Sequence, residues 1–449
     1  MFPSNEKRIP PVEKPVVKHT STFSPAPITK IEETGLPLLW LQDHVLKVMY
    51  FQGYMTGFKV AEDVALPFSG VVDQILEILK REKLIEVRSS QMGLGEGSYQ
   101  YAITGAGIDK AREALERSQY AGPAPVQLND YIESCNRQSR GRVQVTSRVT
   151  KQMLSHLILS EKTLQRLGPA INSGTSIFMY GPTGDGKTSI ARSIGNLMQT
   201  QTMYIPYALY VDGQVIKLYD SVNHTLAGGQ ETTSLGTGTL RSGARRDPRW
   251  VNIKRPFIMV GGELTLAGLD LVFDDVLKYY EAPFQLKANG GILLIDDFGR
   301  QQVRPRDLLN RWIVPLENRI DFLTLHTGRK MEVPFDTLII FSTNLPPKEL
   351  VDEAFLRRLR HKIEIGDPSY EEYREIFKYV AERKKVKYND QGLAYLLQEW
   401  YIKRNRKVRA SHPRDLCDQI LDISRYLNVE AEMTRELLDM AAESYFVDL

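Results

Sequence analysis

The 449-residue chain is long enough for two or three domains, each with its own core. Its composition, 42% hydrophobic and 25% charged, is typical of a globular protein, and no apolar stretch approaches the ~20 residues of a membrane helix. The net charge of +3 does not by itself indicate nucleic acid, and two cysteines exclude a disulfide framework. The first residues lack the apolar core of a secretory signal, so we expect a cytoplasmic protein without membrane contact.

The N-terminal part of the sequence predicts an arm and a small domain. Residues 1–35 are rich in Pro, Lys, Glu and Thr, which predicts a disordered arm. Residues 36–118 predict three helices, a hairpin of the strands LIEVR and SYQYAIT, and a last helix. Three helices followed by a hairpin is the order of a winged helix-turn-helix. Residues 119–144, with YAGPAPVQLND, are expected to form a linker.

Strands and helices alternate over residues 145–367, which predicts an α/β domain with a parallel sheet. After this domain the strand signals stop, and residues 368–449 are expected to form a helical lid. Residues 203–250 are expected to be an insertion that opens with a hairpin turning at Asp212-Gly213. The sequence leaves open whether this insertion faces a ring pore, faces a partner or is disordered.

The most informative motif is GPTGDGKTS, which follows the apolar strand TSIFMY and opens the helix TSIARSIGNLM. That context indicates a P-loop, whose backbone N–H groups surround the phosphates of a nucleotide at a helix N-terminus. Lys187 is expected to reach the β- and γ-phosphates, and the Thr188 hydroxyl to bind Mg²⁺. The residues predicted to bind ATP are Gly181, Pro182, Thr183, Gly184, Asp185, Gly186, Lys187, Thr188 and Ser189.

The stretch GILLIDDFGR predicts a buried parallel strand that ends in two aspartates. Asp296, at the carboxyl end of the strand, is expected to hold Mg²⁺ together with Thr188. Asp297-Phe298-Gly299 is also the magnesium-binding tripeptide of protein kinases. No HRD loop precedes it, however, and the phosphate loop here is a P-loop, so we set the kinase interpretation aside.

Three further features follow the acidic strand: the strand DTLIIFSTN ending at Asn344, an arginine cluster in LVDEAFLRRLRHKIEI, and Arg414 in SHPRDL. With the P-loop and the helical lid, they resemble the AAA+ ATPases over residues 145–449. The resemblance implies that Asn344 positions the attacking water and that Arg414 contacts the γ-phosphate. It also implies that Asp297 stands where most members have a catalytic glutamate, so we expect slow hydrolysis.

The arginine cluster matches the spacing D-x-A-x-x-R-x-x-R at Asp352, Ala354, Arg357 and Arg360. By resemblance, Arg357 and Arg360, with Arg358 as a rival, are candidates for the arginine that completes a neighbouring subunit's active site. An active site shared between subunits implies a ring, most often a hexamer. The simpler interpretation of the cluster is a solvated basic face.

The stretch from Pro256 to Asp297 resembles bacterial enhancer-binding activators and MoxR- or magnesium-chelatase-like ATPases. Those families enter the acidic strand through a similar turn, here Ala288 to Gly291. IDFLTLHTGRKMEVPF resembles the extra hairpin that those clades carry before the strand that here ends at Asn344. The GAFTGA loop of the activators is absent, so activation of a sigma factor is not expected.

The predicted winged helix is slightly acidic, and its putative recognition helix begins with Asp73 and Glu77. Because phosphate contacts dominate DNA affinity, this favours a protein client or adaptor over DNA. The basic run IKRNRKVR is the best nucleic-acid candidate, although we favour a solvated face of a lid helix as its explanation. The sequence therefore favours an ATPase ring that remodels a protein complex. The alternatives are a DNA-associated ATPase, such as an initiator, helicase loader or transcription regulator, and a scaffold that binds ATP with little turnover.

Overall fold

A small module of helices and one sheet forms the N-terminal part of the protein. The computed structural model describes residues 23–89, 96–139, 144–228, 246–350 and 353–446. The module's sheet is antiparallel with strand order β1-β3-β2. Its elements are α1 (Leu38–Gln52), β1 (Tyr54–Thr56), α2 (Gly57–Asp63), α3 (Asp73–Arg81), β2 (Ile85–Ser89), β3 (Gln100–Ile103) and α4 (Gly105–Arg117).

Residues 23–35 differ from the expected disordered arm. They carry a 3₁₀ turn, Ile31–Thr34, and Ile28 is buried in the core of the N-terminal module. The ring of Phe23 lies 5.3 Å from that of Trp250. The apolar residues among the prolines and charges are enough to anchor this segment, which composition alone did not indicate. The rest of the expected arm, residues 1–22, lies outside the described residues.

The expected linker is also structured. It contains β4 (Val126–Gln127) and α5 (Leu128–Ser139), and it leads into α6 (Ser147–Met153) and α7 (Glu161–Ser173). Helix α5 buries Tyr131 and Cys135 against a second sheet, so its apolar face is part of a core. The polar and Pro-rich composition of this region did not indicate α5, because the strands that bury its apolar face lie far away in the chain.

A five-stranded parallel sheet forms the centre of the protein, with strand order β10-β13-β16-β5-β17. Ile292 and Leu294 of β13 face one core, whereas Leu293 and Ile295 face another, so the sheet is buried on both faces. This confirms the α/β class and the buried strand at residues 292–295.

The elements of this domain from the first central strand to the second sheet are β5 (Ser176–Tyr180), α8 (Lys187–Met198), β6 (Thr202–Pro206), β7 (Ala208–Val211), β8 (Gln214–Lys217), β9 (Trp250–Lys254), β10 (Phe257–Val260), β11 (Val272–Asp274) and β12 (Tyr279–Glu281).

The remaining elements of the domain connect the acidic strand to the lid. They are α9 (Phe284–Lys287), β13 (Ile292–Ile295), α10 (Pro305–Arg311), α11 (Ile313–Asn318), β14 (Ile320–Thr324), β15 (Lys330–Pro334), β16 (Leu338–Thr343), α12 (Pro347–Leu350), α13 (Glu353–Arg358) and β17 (His361–Glu364). Strands β14 and β15 pair antiparallel, which confirms the predicted hairpin before Asn344.

The insertion is larger than the sequence predicted. Strands β7 and β8 form the expected hairpin, with φ of 51° at Asp212 and 84° at Gly213. They belong to a five-stranded sheet of order β11-β12-β8-β7-β4, so strands from outside residues 203–250 complete it. The two long strands β6 and β9 pair at the base of the insertion. Residues 229–245, the Gly-rich part of the insertion, lie outside the described residues.

The N-terminal module is docked on this second sheet. The backbone N–H of Gln119 donates to the Leu277 carbonyl at 2.9 Å, and the rings of Trp40 and Tyr210 pack edge to face. Arg249, 2% exposed, pairs with Asp247 and donates through Nη1 to the carbonyls of Thr34 and Pro125, at 2.8 and 3.1 Å. The N-terminal segment, the former linker and the insertion therefore meet at one buried guanidinium.

The C-terminal region is a helical bundle, as expected for the lid. Its helices are α14 (Tyr370–Lys384), α15 (Asp390–Leu396), α16 (His412–Leu427) and α17 (Arg435–Tyr445), with a π-helical segment, Leu397–Ile402, after α15. Its core includes Tyr373, Tyr401 and Leu416. In the described part of the chain, no helix combines the length and the hydropathy needed to cross a membrane.

Candidate nucleotide-binding site

The GPTGDGKTS loop connects β5 to α8 at the carboxyl edge of the parallel sheet. Gly181 has a φ of 145°, and a Cβ there would lie 1.9 Å from the Ile365 carbonyl oxygen. Gly186, with a φ of 86°, is the N-cap of α8. Both positions therefore require glycine, and the loop delivers backbone N–H groups to the positive end of a helix, where anions bind.

Lys187, at the first position of α8, is buried and folded back on the loop. Its Nζ donates to the carbonyl oxygens of Gly181 and Pro182 at 2.9 and 2.6 Å. Burial lowers the pKa of Lys187, and the nearby carboxylates of Asp185, Asp296 and Asp297 oppose that shift. The ammonium thus lies against the loop that surrounds the phosphates of a nucleotide in P-loop proteins.

The Thr188 hydroxyl meets Asp296, which lies 108 positions later in the chain and at the end of β13. Thr188 Oγ1 is 3.1 and 2.9 Å from the two carboxylate oxygens of Asp296. A hydroxyl from the loop after β5 and a carboxylate from the end of β13, with β16 lying between these two strands, are the two protein ligands that this fold offers to Mg²⁺. The chain has a P-loop α/β fold.

These two ligands suit a magnesium ion that is held mainly by phosphates and waters. Among the residues that the structure describes, no three His, Cys, Asp or Glu side chains come together as a metal cage. A closed all-protein site is not needed for this ion, because Mg²⁺ usually keeps several waters and takes only one or two carboxylates.

Asp297-Phe298-Gly299 turns the chain out of β13. Asp297 is exposed and has a φ of 48°, and its carbonyl accepts from the N–H of Arg300 at 3.0 Å. Phe298 is fully buried beside Phe178 and Phe341, and its backbone bonds both Ser342 and the Thr343 hydroxyl. The middle residue of the kinase-like tripeptide therefore belongs to the core.

Asn344 follows β16 and reaches the first half of the P-loop. Its Nδ2 donates to Thr183 Oγ1 at 3.1 Å, whereas its Oδ1 is buried with no hydrogen-bond partner among the described residues. Asn344 lines a cavity of about 520 Å³ together with Gly181, Pro182, Thr183, Glu364 and Arg409, among others. A buried acceptor without a partner is costly unless a ligand or water satisfies it, which fits a site that receives a water.

The structure brings Arg409, rather than Arg414, to the P-loop. The Arg409 guanidinium lies 2.7 Å from Asp367 Oδ1 and 3.5 Å from Asp185 Oδ2. Arg414 is 64% exposed and pairs with Asp415 on its own helix. Sequence reasoning missed Arg409 because it belongs to the basic run IKRNRKVR, whose only visible pattern was its charge.

Most of that basic run is engaged within the lid. Lys403 pairs with Glu399, Arg404 lies 3.9 Å from the centre of the Trp400 ring, and Lys407 lies 3.8 Å from Asp367. Arg406 stacks on Phe446 at 4.0 Å. These contacts give each of the four cations a partner within the chain, although Lys403, Arg404 and Lys407 stay exposed.

The arginine cluster lies on α13 and just after it. Arg358 Nε donates to Glu317 Oε1 at 2.7 Å, so it is held within its own subunit. Arg357 and Arg360 are exposed. Asp352, the first position of the matched spacing, lies outside the described residues.

Comparisons with known proteins add little beyond the geometry. Residues 369–444, the lid, match the family "Domain of unknown function (DUF8689)", and no curated protein matches the chain. Among solved structures, NtrX from Brucella abortus in complex with ADP is similar at 14% identity and a TM-score of 0.39, over 77% of this chain and 68% of that one. The Thermotoga maritima RuvB Holliday junction branch migration motor is similar at 15% identity and a TM-score of 0.34, over 68% of this chain and 71% of that one. At TM-scores this low the fold assignment rests on the strand order and the P-loop.

Proposed function

We propose that this protein is an AAA+ ATPase that binds ATP with Mg²⁺ at the P-loop and hydrolyses it. The observation that carries the proposal is the convergence of Lys187, Thr188 and Asp296 at one edge of the parallel sheet. Lys187 neutralises phosphate charge, and Thr188 with Asp296 holds the metal. Thr188 and Asp296 would hold a Mg²⁺ ion, which would supply positive charge against the negative charge that develops on the phosphates during transfer.

Hydrolysis also needs a water held in line with the γ-phosphate. We assign its orientation to Asn344, whose Oδ1 is buried and unpartnered, and to Asp297, the carboxylate after the metal ligand. The cavity beside Asn344 gives that water a place next to the first half of the P-loop. A shorter carboxylate than glutamate at position 297 is consistent with slow turnover.

We further propose that subunits assemble into a ring, expected to be a hexamer, in which Arg357 or Arg360 completes the neighbour's site. We also propose that Arg300, which is exposed after the turn at Asp297, faces that neighbour. The MoxR-like or enhancer-binding-type relationship is supported by the β14–β15 hairpin that precedes Asn344. Arg414, on α16, stays a proposed γ-phosphate contact alongside Arg409.

The proposed role of the ring is to remodel a protein complex through the N-terminal module, which we interpret as a winged helix. Its element order, three helices with two longer strands after α3, supports that interpretation. The carboxylate of Asp73 accepts the Gly70 N–H at 3.0 Å, and Glu77 is exposed on the same helix. In a DNA-binding winged helix, α3 would be the helix that enters the DNA groove. An acidic face on that helix favours a protein partner over DNA.

Lys187→Ala tests the proposal. The variant is expected to lose ATP binding by about 100-fold or more, because the removed ammonium is the main cation at the phosphates. The measurement is fluorescence titration with a labelled ATP analogue. Lys162→Ala, at an exposed position of α7, is the matched control and is expected to bind as the wild type does. If the wild-type protein fails to bind ATP in the presence of Mg²⁺, the proposed function is wrong.

A further inference from the structure

The P-loop carries a carboxylate that contacts the lid. Asp185, between the loop's two central glycines, has a side chain only 1% exposed. Its Oδ1 accepts the backbone N–H of Ala410 at 3.2 Å, and its Oδ2 faces Arg409. Phosphates do not need a carboxylate here, so the side chain has another task.

The lid loop packs directly on the P-loop at this point. A Cβ on Gly184 would lie 2.4 Å from Ser411 Oγ, so Ser411 fits only against a glycine. The residues just before α16 therefore contact two consecutive loop positions, 184 and 185. We call residues 407–411 the lid strap.

Arg409 of the lid strap stands between two anions and the cavity. Its guanidinium donates to Asp367 at 2.7 Å and lies at the limit of contact with Asp185, at 3.5 Å. Arg409 also lines the cavity that Thr183 and Asn344 border. A guanidinium offers five donors in a fixed plane, so it can turn toward a nearby phosphate while keeping one carboxylate contact.

We propose that Asp185 is a positioning residue that fastens the lid strap to the P-loop and so places Arg409 to distinguish ATP from ADP. The inference rests on the proposed function, because it assigns roles to two further residues of the same nucleotide-binding site. Asp185 holds the backbone of Ala410, and the neighbouring Arg409 supplies the charge that meets the additional phosphate. The lid then closes more tightly over ATP than over ADP.

The proposal predicts a change in nucleotide preference rather than a general loss of binding. Arg409→Ala is expected to weaken ATP binding by about tenfold while changing ADP binding much less, because the lost cation serves the extra phosphate. Asp185→Ala is expected to lower the ATP/ADP affinity ratio to a similar extent. The ATP/ADP affinity ratio of the double variant should be no lower than that of the more affected single variant. Both substitutions disrupt the same set of contacts, so their effects should not add.

The experiment measures the affinities for labelled ATP and ADP in the full-length protein, with thermal melting to confirm folding. Arg409→Lys should recover part of the ratio, and Arg425→Ala, an exposed arginine of α16, is the matched control. Asp185→Asn, which keeps the acceptor for Ala410, should fall between wild type and Asp185→Ala.

Two outcomes overturn the inference. One is an equal loss of ATP and ADP affinity in Asp185→Ala. The other is a double variant whose fold-loss in the ATP/ADP affinity ratio is the product of the two single losses. Both presuppose that the wild-type protein binds ATP. If it does not, the proposed function fails first, and the two failures are thereby distinguished.

Discussion

Asp297 differs from its neighbour Asp296 in backbone and in exposure. Asp296 ends β13 and meets Thr188, whereas Asp297 has a φ of 48° and faces solvent at the turn. Aspartate tolerates this left-handed conformation better than most residues do. Compared with glutamate, its carboxylate is shorter in reach by about 1.5 Å, which is enough to affect how a water is held.

Asp297→Asn is expected to bind ATP as tightly as the wild type but to lose turnover by at least about 100-fold, because an amide cannot accept the proton. Asp297→Glu is expected to retain turnover. The measurement is steady-state phosphate release, with ATP affinity determined in parallel. Unchanged turnover in Asp297→Asn would show that another group orients the water.

At the scale of single elements, α13 and the residues just after it carry three arginines with different surroundings. Glu317 of α11 holds Arg358, while Arg357 and Arg360 are exposed. An arginine can reach a neighbour's active site only if its side chain is accessible at the surface of its own subunit. The greater exposure of Arg357 and Arg360 is what favours them over Arg358.

Arg357→Ala or Arg360→Ala is expected to keep ATP affinity and lose about 1,000-fold in turnover, the scale of an arginine supplied in trans. Arg358→Ala is the matched comparison and should retain turnover, with a small loss of stability from the broken pair with Glu317. ATP binding and phosphate release are measured for all three. Normal hydrolysis by both of the first two variants would remove α13 from the active site.

How far the sequence predicted each element depended on the range of the contacts that form it. The P-loop and β13 were predictable because a local motif and a continuous apolar run specify them. The second sheet was not, because β4, β11 and β12 have only two or three residues each and come from separate parts of the chain. Arg409 was missed for the same reason: only the folded lid brings it to Asp185.

At the scale of the whole molecule, the proposed ring divides each active site between two subunits. The P-loop comes from one subunit and the arginine, Arg357 or Arg360, from the next. A subunit with a defective P-loop can still donate its arginine, and one with a defective arginine can still bind ATP.

Mixing Lys187→Ala with the inactive variant among Arg357→Ala and Arg360→Ala is therefore expected to restore part of the hydrolysis that each lacks alone. The measurement is phosphate release from equimolar mixtures, compared with each variant at the same total concentration. Sedimentation in the presence of ATP establishes that mixed assemblies form. Mixed assemblies without any recovered hydrolysis would contradict a shared active site.

The buried guanidinium of Arg249 limits where the protein can be shortened. The sequence suggests a boundary at residue 36, but a protein beginning there would lack the Thr34 carbonyl that accepts from Arg249 Nη1. Leaving a buried charged donor short of an acceptor costs about 1–3 kcal/mol, and the contacts of Ile28 would be lost as well. A stable truncated protein should therefore begin no later than Ile28, even though the first core helix starts at Leu38.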